Sequence, residues 1–289
     1  MRDGTIRRQD PAGDEYELLD AAEGRRIERF GAHVTDRPSG AAYGAEWLAS
    51  GLPAADLVYE RADDGGGAWV RGGDTLPWLV RHAGLTLELR AAAGGQVGLF
   101  PEHAALWPWL AAVVAGAGTR LGRPPVLLSL FAYTGGTTLT IASAGGDVAH
   151  VDASRPAVAW ARVNATHSGL GDAPVRWLVD DVAAFVARER RRGRRYDGVV
   201  LDPPSYGHGE RRRTWRIATD LPPLLEALAG LIPEPQVVLL TAHTPGWDAG
   251  RLAELVTSAF AVDPETGDLR LEARTGRVLP LGSYARWAA

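Results

Sequence analysis

The chain has 289 residues, of which 46% are hydrophobic and 23% are charged, and its formal net charge is −4. These values are typical of a soluble globular protein and do not favour a strongly basic nucleic-acid-binding protein, although a local basic patch is compatible with them. The chain contains no cysteine, which excludes a disulfide, a thiolate metal site and a cysteine nucleophile. All 31 basic residues are arginine, which excludes the lysines of P-loop, kinase and Schiff-base enzymes.

Metal and membrane sites are not predicted. The seven histidines are scattered without a His-x-x-x-His pair, so we expect no metal site. The first 20 residues lack an apolar signal core, and the weakly polar run 104–118 contains Pro108 and is shorter than the ~20 residues of a membrane span. We therefore expect a cytoplasmic protein; its oligomeric state does not follow from the sequence.

Residues 1–100 are predicted to form a small β-rich region. Short apolar segments alternate there with glycine and charged residues, and the segment 85–91 (LTLELRA) alternates like a half-buried strand. A short helix is predicted only around 41–50 (AAYGAEWLAS).

The remainder of the chain, residues 101–289, reads as strands alternating with helices. Strands are predicted at 126–131, 147–152, 175–180, 196–202 and 236–243. Helices of ten or more residues separate most of them, which predicts parallel βαβ units in an α/β doubly wound sheet. The final segments DLRLEA and VLPLGSYARW predict an antiparallel hairpin.

Several strands end on residues that can bind a ligand. The first is followed by the turn Gly135-Gly136, which would let a ligand approach the backbone or would only make a tight connection. The second ends on Asp152, which can accept ribose hydroxyls or cap the next helix. After the third strand, Asp181 can bind an adenine amino group or act as a helix cap.

The fourth strand ends on Asp202-Pro203-Pro204. Proline fixes φ and lacks an N–H group, so a proline pair is an ordinary way to end a strand. A rigid Asp-Pro-Pro loop can also hold a planar substrate group. Because the carboxyl ends of parallel strands share one edge, this loop, both acids and the glycine turn are expected close together.

Two arginine-rich segments are expected at opposite edges of the predicted sheet. The segment 188–195 (RERRRGRR) lies before the fourth strand, at the edge away from the glycine turn, and is predicted to be a solvated face. The segment 210–216 (ERRRTWR) follows the Asp-Pro-Pro loop and places Trp215 among arginines. That combination suits phosphates and a base, so it predicts RNA contact, the alternative being an exposed loop.

Four stretches together resemble the class I S-adenosylmethionine-dependent methyltransferases. They are LSLFAYTGGTTLTIASAGG, HVDASRPAVAWARVNATHSGL, LVDDVAAF and VVLDPPSYG, and they are most similar to the branch typified by large-subunit ribosomal RNA methyltransferases. The segment 95–104 (GQVGLFPEHA) is similar to the part of that branch that precedes the core and lies over the cofactor. The resemblance covers about 95–245 and implies a Rossmann-like methyltransferase domain.

The resemblance also implies a role for individual positions. The positions that would contact S-adenosyl-L-methionine are Phe100, Phe131, Tyr133, Thr134, Gly135, Gly136, Asp152, Ala153, Asp181 and Asp202. The positions that would face the acceptor and carry the transfer are Asp202, Pro203 and Tyr206. The predicted substrate-binding residues are Arg211, Arg213, Arg216 and His243, although His243 is equally compatible with a structural role in its loop.

The chain departs from this branch in two ways. Members that methylate carbon 5 of cytosine use a cysteine after the fifth strand, where this chain has Ala242-His243, so that mechanism is excluded. Residues 1–100 do not resemble the PUA-type RNA-binding module of many relatives. The sequence therefore predicts methylation of RNA at a base nitrogen. The alternatives are a methyltransferase acting on a small molecule or protein, a nucleotide-cofactor dehydrogenase, and a cofactor-binding interaction protein.

Overall fold

The structure, a computed structural model, describes residues 13–62, 66–208 and 214–289. The chain divides into two compact units. Unit 1 comprises Met1–Ala105 and Arg270–Leu281, and unit 2 comprises Leu106–Leu269 and Gly282–Ala289. The predicted division into domains at 1–100 and 101–289 stays a prediction.

Unit 1 is rich in β-structure, as the sequence predicts. Its strands are β1 (Tyr16–Ala22), β2 (Arg25–Phe30), β3 (His33–Pro38), β4 (Leu57–Arg61), β5 (Gly67–Arg71), β6 (Trp78–His82) and β7 (Leu85–Leu89). Strands β1 to β5 form one sheet in chain order, mostly antiparallel, and β6 pairs with β7 in an antiparallel hairpin.

The short helix predicted around 41–50 does not form. A single turn of 3-10 helix covers Gly40–Ala42, and Gly44 then adopts a φ of 74°. The Asp20 carboxylate accepts the backbone N–H groups of Leu48 (2.8 Å) and Ala49 (2.9 Å). The buried Asp20 side chain of β1 thus accepts hydrogen bonds from backbone N–H groups that would donate to backbone carbonyl groups in a helix. Local periodicity does not reveal such a contact.

Unit 2 contains the doubly wound sheet. Its helices are α1 (Trp107–Leu121), α2 (Gly136–Ser143), α3 (Arg155–His167), α4 (Val182–Arg191), α5 (Ile217–Ala229) and α6 (Ala249–Phe260). The strands that follow β7 are β8 (Val126–Leu130), β9 (Asp147–Asp152), β10 (Val175–Val179), β11 (Gly198–Leu201), β12 (Tyr206–His208), β13 (Thr214–Arg216), β14 (Val237–Ala242), β15 (Glu265–Glu272) and β16 (Val278–Ala288).

The main sheet has the order β10-β9-β8-β11-β14-β16-β15. The first five of these strands are parallel, and β16 runs antiparallel to β14. This confirms the predicted fold class. The described part of the chain also contains a small hairpin of β12 and β13 that the sequence did not predict.

Alternate residues of the central strands fill two apolar layers, one on each face of the sheet. On one face, Leu128 and Leu201 pack in a cluster with residues of α4, α5 and α6. On the other face, Leu127, Val200 and Leu239 pack with residues of α1 and α2. Among the described helices, none combines the length and the apolarity that a membrane span requires.

Candidate active site at the carboxyl ends of the strands

The parallel strands of unit 2 deliver the candidate residues to one edge of the sheet. Strand β8 is followed by Phe131, β9 ends on Asp152, β10 is followed by Asp180 and Asp181, and β11 is followed by Asp202. Parallel pairing in register places these carboxyl ends side by side. This edge is where doubly wound sheets bind ligands.

The turn between β8 and α2 has an unusual backbone. Phe131 and Tyr133 have φ values of 54° and 47°, which side chains rarely adopt, and Gly135 has a φ of 90°. Each non-glycine residue in this region costs about 1–2 kcal/mol, so other contacts must hold the turn. Asn164 of α3 supplies one of them, because its Nδ2 donates to the Thr134 carbonyl (2.9 Å).

The two glycines of the turn are required by packing. A Cβ atom on Gly136 would lie 2.7 Å from Cζ2 of Trp107, and one on Gly135 would lie 3.0 Å from Cβ of Ala161. The turn therefore packs tightly against α1 and α3. The turn is thus a tight connection, and the contact of its glycines with a ligand stays a prediction.

Asp152 joins the turn to the start of α3. Its Oδ2 accepts the N–H of Tyr133 (2.8 Å), and its Oδ1 accepts the N–H of Ser154 (2.8 Å). The helix cap is Ser154, whose Oγ accepts the N–H of Ala157 (3.2 Å), so the alternative reading of Asp152 as the cap is wrong. Burial raises the pKa of Asp152, and the two backbone hydrogen bonds partly offset that effect. Ala153, the next residue, is partly buried.

The acids after β10 are both engaged in local contacts. Asp181 caps α4, and its Oδ1 accepts the N–H of Ala184 (2.8 Å). Asp180 forms an ion pair with Arg188. The capping role expected as one alternative for Asp181 is therefore present, and the carboxylate remains half-buried at the same edge.

The Asp-Pro-Pro loop is held by the neighbouring strand β14. The Thr241 hydroxyl donates to Oδ1 of Asp202 (2.6 Å), and Nε2 of His243 lies 3.5 Å from the same oxygen. Pro203 is buried, while Pro204 is exposed. Ser205 Oγ lies 2.7 Å from Oγ1 of Thr244, which ties the loop to the segment after β14.

The hairpin after this loop carries further predicted residues. Tyr206 begins β12 opposite Arg216 at the end of β13; the Tyr206 side chain is 53% exposed, and Arg216 is exposed as well. Trp215 is partly buried, and its ring lies 4.9 Å from the Phe131 ring.

Arg211 and Arg213 lie outside the described residues. Phe100 belongs to unit 1, where its ring stacks on that of His103 (6.0 Å).

A buried polar cluster joins α2 to β8 and β9, and the sequence pattern does not predict it. The Thr138 hydroxyl donates to Ser129 Oγ (2.9 Å) and lies 2.9 Å from Nδ1 of His150. Ser129 and His150 pair across β8 and β9, two residues before Phe131 and Asp152 respectively. Nε2 of His150 is buried without a hydrogen-bond partner. The available signal was a histidine in the otherwise apolar interior of β9.

His150 predicts a measurable pH dependence of stability. Burial lowers its pKa from 6.5 to about 3. Below pH 6.5, the unfolded chain therefore binds a proton at His150 that the folded protein does not bind. Stability from this group is present above pH 6.5 and is lost as pH falls towards 3. Between pH 7 and pH 5 the wild type should lose about 2 kcal/mol more free energy of unfolding than His150→Asn.

Urea unfolding of both proteins at the two pH values measures this difference. An equal pH dependence in wild type and His150→Asn would show that His150 is not held neutral by burial.

Comparison with known proteins identifies the family. Residues 40–243 match the family described as S-adenosylmethionine-dependent methyltransferase. The crystal structure of the SAM-dependent methyltransferase from Agrobacterium tumefaciens is 31% identical, with a TM-score of 0.84 over 97% of this chain and 92% of that chain. The chain belongs to the S-adenosylmethionine-dependent methyltransferases. It is therefore an enzyme, and its methyl donor is S-adenosyl-L-methionine, as the motifs predict.

Curated relatives are ribosomal RNA methyltransferases. The ribosomal RNA large subunit methyltransferase K/L of Methylococcus capsulatus is 29% identical over 189 residues, covering 64% of this chain and 24% of that protein. The ribosomal RNA large subunit methyltransferase I of Tolumonas auensis is 29% identical over 147 residues, covering 50% of this chain and 36% of that protein. The chain thus spans about a quarter to a third of these relatives.

The residues at the sheet edge have chemistry that fits the donor. An ionised carboxylate oxygen has two lone pairs, and each oxygen of Asp152 accepts one backbone N–H group. Each can accept one further hydrogen bond, which matches the two hydroxyl groups of a ribose. The half-buried Asp181 carboxylate likewise has acceptor capacity beyond its cap contact.

Proposed function

We propose that this enzyme transfers the methyl group of S-adenosyl-L-methionine to a nitrogen atom of a base in ribosomal RNA. The observation that carries the proposal is the Asp202 carboxylate, which Thr241 orients at the end of β11, next to Pro203. A carboxylate and a carbonyl group can accept the hydrogens of an amino group. They thereby hold the nitrogen lone pair towards the donor.

We assign the donor to the turn and to the acids of β9 and α4. Asp152, next to Ala153, would bind the ribose, and Asp181 the adenine. The methionine part would lie against the turn residues Phe131, Tyr133, Thr134, Gly135 and Gly136. The contact of Phe100 with the donor stays a prediction. These assignments are supported by the convergence of the strand ends and by the backbone that Asp152 and Asn164 hold in place.

The chain's own contribution to the reaction is positioning. S-adenosyl-L-methionine supplies a methyl group on a sulfonium centre, which needs little further activation. Asp202 and the Pro203 carbonyl would align the acceptor nitrogen, and alignment alone can supply a large part of a rate enhancement. The Asp202 carboxylate can accept the proton that the nitrogen loses after transfer. The exposed Tyr206 ring can stack on the base.

RNA is supported as the acceptor by the names of the relatives and by the arginines near the hairpin. Arg216 is exposed beside Tyr206, and Arg211 and Arg213 are assigned to RNA contact on the sequence alone. His243 lies near Asp202, which is compatible with contact to the acceptor. A nitrogen acceptor is favoured over carbon 5 of cytosine, because methylation of carbon 5 needs a thiol and the chain has no cysteine.

A second candidate function is methylation of a protein or a small molecule. The net charge of −4 favours it over a nucleic-acid substrate. We also propose that residues 101–289 form the catalytic domain and that residues 1–100 form a separate β-rich region.

Labelling in a cell lysate distinguishes the two acceptor classes. Purified enzyme and S-adenosyl-L-methionine with a radioactive methyl group are added to lysate of a strain that lacks the gene. We expect label in large RNA and at least tenfold less label after ribonuclease treatment. Label that survives ribonuclease and is removed by protease, or that stays in small molecules, would contradict the RNA proposal.

A further inference from the structure

Trp215 has contacts that its sequence neighbourhood does not reveal. Its interleaving with arginines predicts contact with RNA, which stays a prediction. In the structure its ring packs on Phe131 with a centroid distance of 4.9 Å and an interplanar angle of 55°. Its Nε1 donates to the Pro204 carbonyl (2.8 Å). Both the ring and the N–H group therefore have partners inside unit 2.

These two partners belong to different parts of the site. Phe131 opens the turn assigned to the donor and has a strained φ of 54°. Pro204 directly follows Asp202 and Pro203, which are assigned to the acceptor. One side chain thus contacts the donor-side turn and the acceptor-side loop together. Phe131 and Trp215 also pack against the same apolar cluster beneath the sheet.

The hairpin that carries Trp215 is itself anchored to this loop. The N–H of Ile217 donates to the Ser205 carbonyl (3.2 Å), and Tyr206 pairs with Arg216. The N–H of Arg216 donates to the Asp220 carboxylate (2.7 Å) at the start of α5. Trp215 is therefore held between β12, α5 and the loop. A displacement of Phe131 would for this reason also displace Pro204.

We propose that Trp215 is a positioning residue that keeps the loop 202–205 in register with the turn 131–136, so that donor binding orders the acceptor side. This inference rests on the proposed function, because it needs a donor at the turn. It also bears on the acceptor side, because the Trp215 N–H occupies one lone pair of the Pro204 carbonyl, next to the Asp202 carboxylate and the Pro203 carbonyl that are assigned to the substrate.

Two substitutions separate the contacts of Trp215. Trp215→Phe keeps a ring against Phe131 and removes the hydrogen bond to Pro204, whereas Trp215→Leu removes both. Trp109→Leu is the matched control, because Trp109 of α1 packs against Arg286 and against the apolar cluster on the α1 face of the sheet. The ligand is S-adenosylhomocysteine, the demethylated donor. Calorimetry gives its dissociation constant, and hydrogen–deuterium exchange of the full chain follows peptides from 127–140 and 199–208.

In the wild type and in Trp109→Leu, we expect S-adenosylhomocysteine to slow exchange at least fivefold in both peptides. In Trp215→Leu, protection of 127–140 should persist while protection of 199–208 falls to less than a third of the wild-type effect. Trp215→Phe should show an intermediate loss in 199–208, with a dissociation constant within about twofold of the wild type.

The outcomes separate this inference from the proposed function. If the wild type does not bind S-adenosylhomocysteine, the proposed function fails and the inference fails with it. If the ligand binds but both Trp215 variants transmit wild-type protection to 199–208, the positioning role is wrong and the proposed function stands. Should Trp215→Leu not fold, Trp215→Phe decides: unchanged protection of 199–208 overturns the inference, and reduced protection supports it.

Discussion

Asp152→Ala is expected to weaken binding of S-adenosylhomocysteine about 100-fold. The change removes the two charge-assisted hydrogen bonds that we propose between Asp152 and the ribose, and a loss of about 2.7 kcal/mol corresponds to this factor. It also removes the acceptor of the Tyr133 N–H, and so releases a turn whose φ values are strained. Isothermal titration calorimetry measures the dissociation constant directly.

Asp147→Ala is the control for this experiment. Asp147 begins the same strand β9 at the opposite edge of the sheet, so its removal should leave the dissociation constant within about twofold. Asp152→Asn should be intermediate, because one amide oxygen can replace only one of the two carboxylate oxygens. Wild-type affinity in Asp152→Ala, or equal losses in Asp152→Ala and Asp147→Ala, would show that the donor does not bind at the end of β9.

Asp202→Ala is expected to reduce methyl transfer about 1000-fold and to change the affinity for S-adenosylhomocysteine by no more than about threefold. The variant loses the group that we propose to align the acceptor nitrogen and to accept its proton, two effects that together reach this size. Single-turnover transfer of labelled methyl groups to RNA from a strain that lacks the gene measures the rate. Calorimetry measures the affinity.

Thr241→Val refines this prediction. It leaves Asp202 in place and removes the hydroxyl group that donates to Oδ1, so we expect a smaller loss of about tenfold. A loss of donor affinity equal to the loss of rate in Asp202→Ala would place Asp202 on the donor side. Retention of the full rate would remove it from the acceptor site.

The parallel strands of unit 2 and the helices between them were predictable because their signals are local, whereas the hairpin of β12 and β13 was not. Four of the five parallel strands are short runs that end on a glycine turn or an acid, and the helix α3 begins at a recognisable Ser154 and proline. Topology then follows from the rule that parallel strands place their carboxyl ends at one edge. The positions of Asp152 and Asp202 at that edge therefore follow from the sequence, although their contacts do not.

The features that the sequence did not reveal depend on residues far apart in the chain. Asp20 removes the helix predicted around 41–50 by taking the N–H groups of Leu48 and Ala49. The Trp215 ring packs on the ring of Phe131, 84 positions earlier. The Asp202 carboxylate is oriented by Thr241 of another strand. Periodicity and spacing describe one element at a time, so contacts of this kind lie beyond them.

Identification of the methylated nucleoside tests the central claim most directly. Large-subunit ribosomal RNA transcribed in vitro is incubated with the enzyme and labelled S-adenosyl-L-methionine, digested to nucleosides and analysed by mass spectrometry. The proposed acceptor chemistry predicts a single labelled nucleoside with the methyl group on a base nitrogen, absent with Asp202→Ala. A labelled 5-methylcytidine, a methyl group on the ribose, or unlabelled RNA beside a labelled protein or small molecule would contradict it.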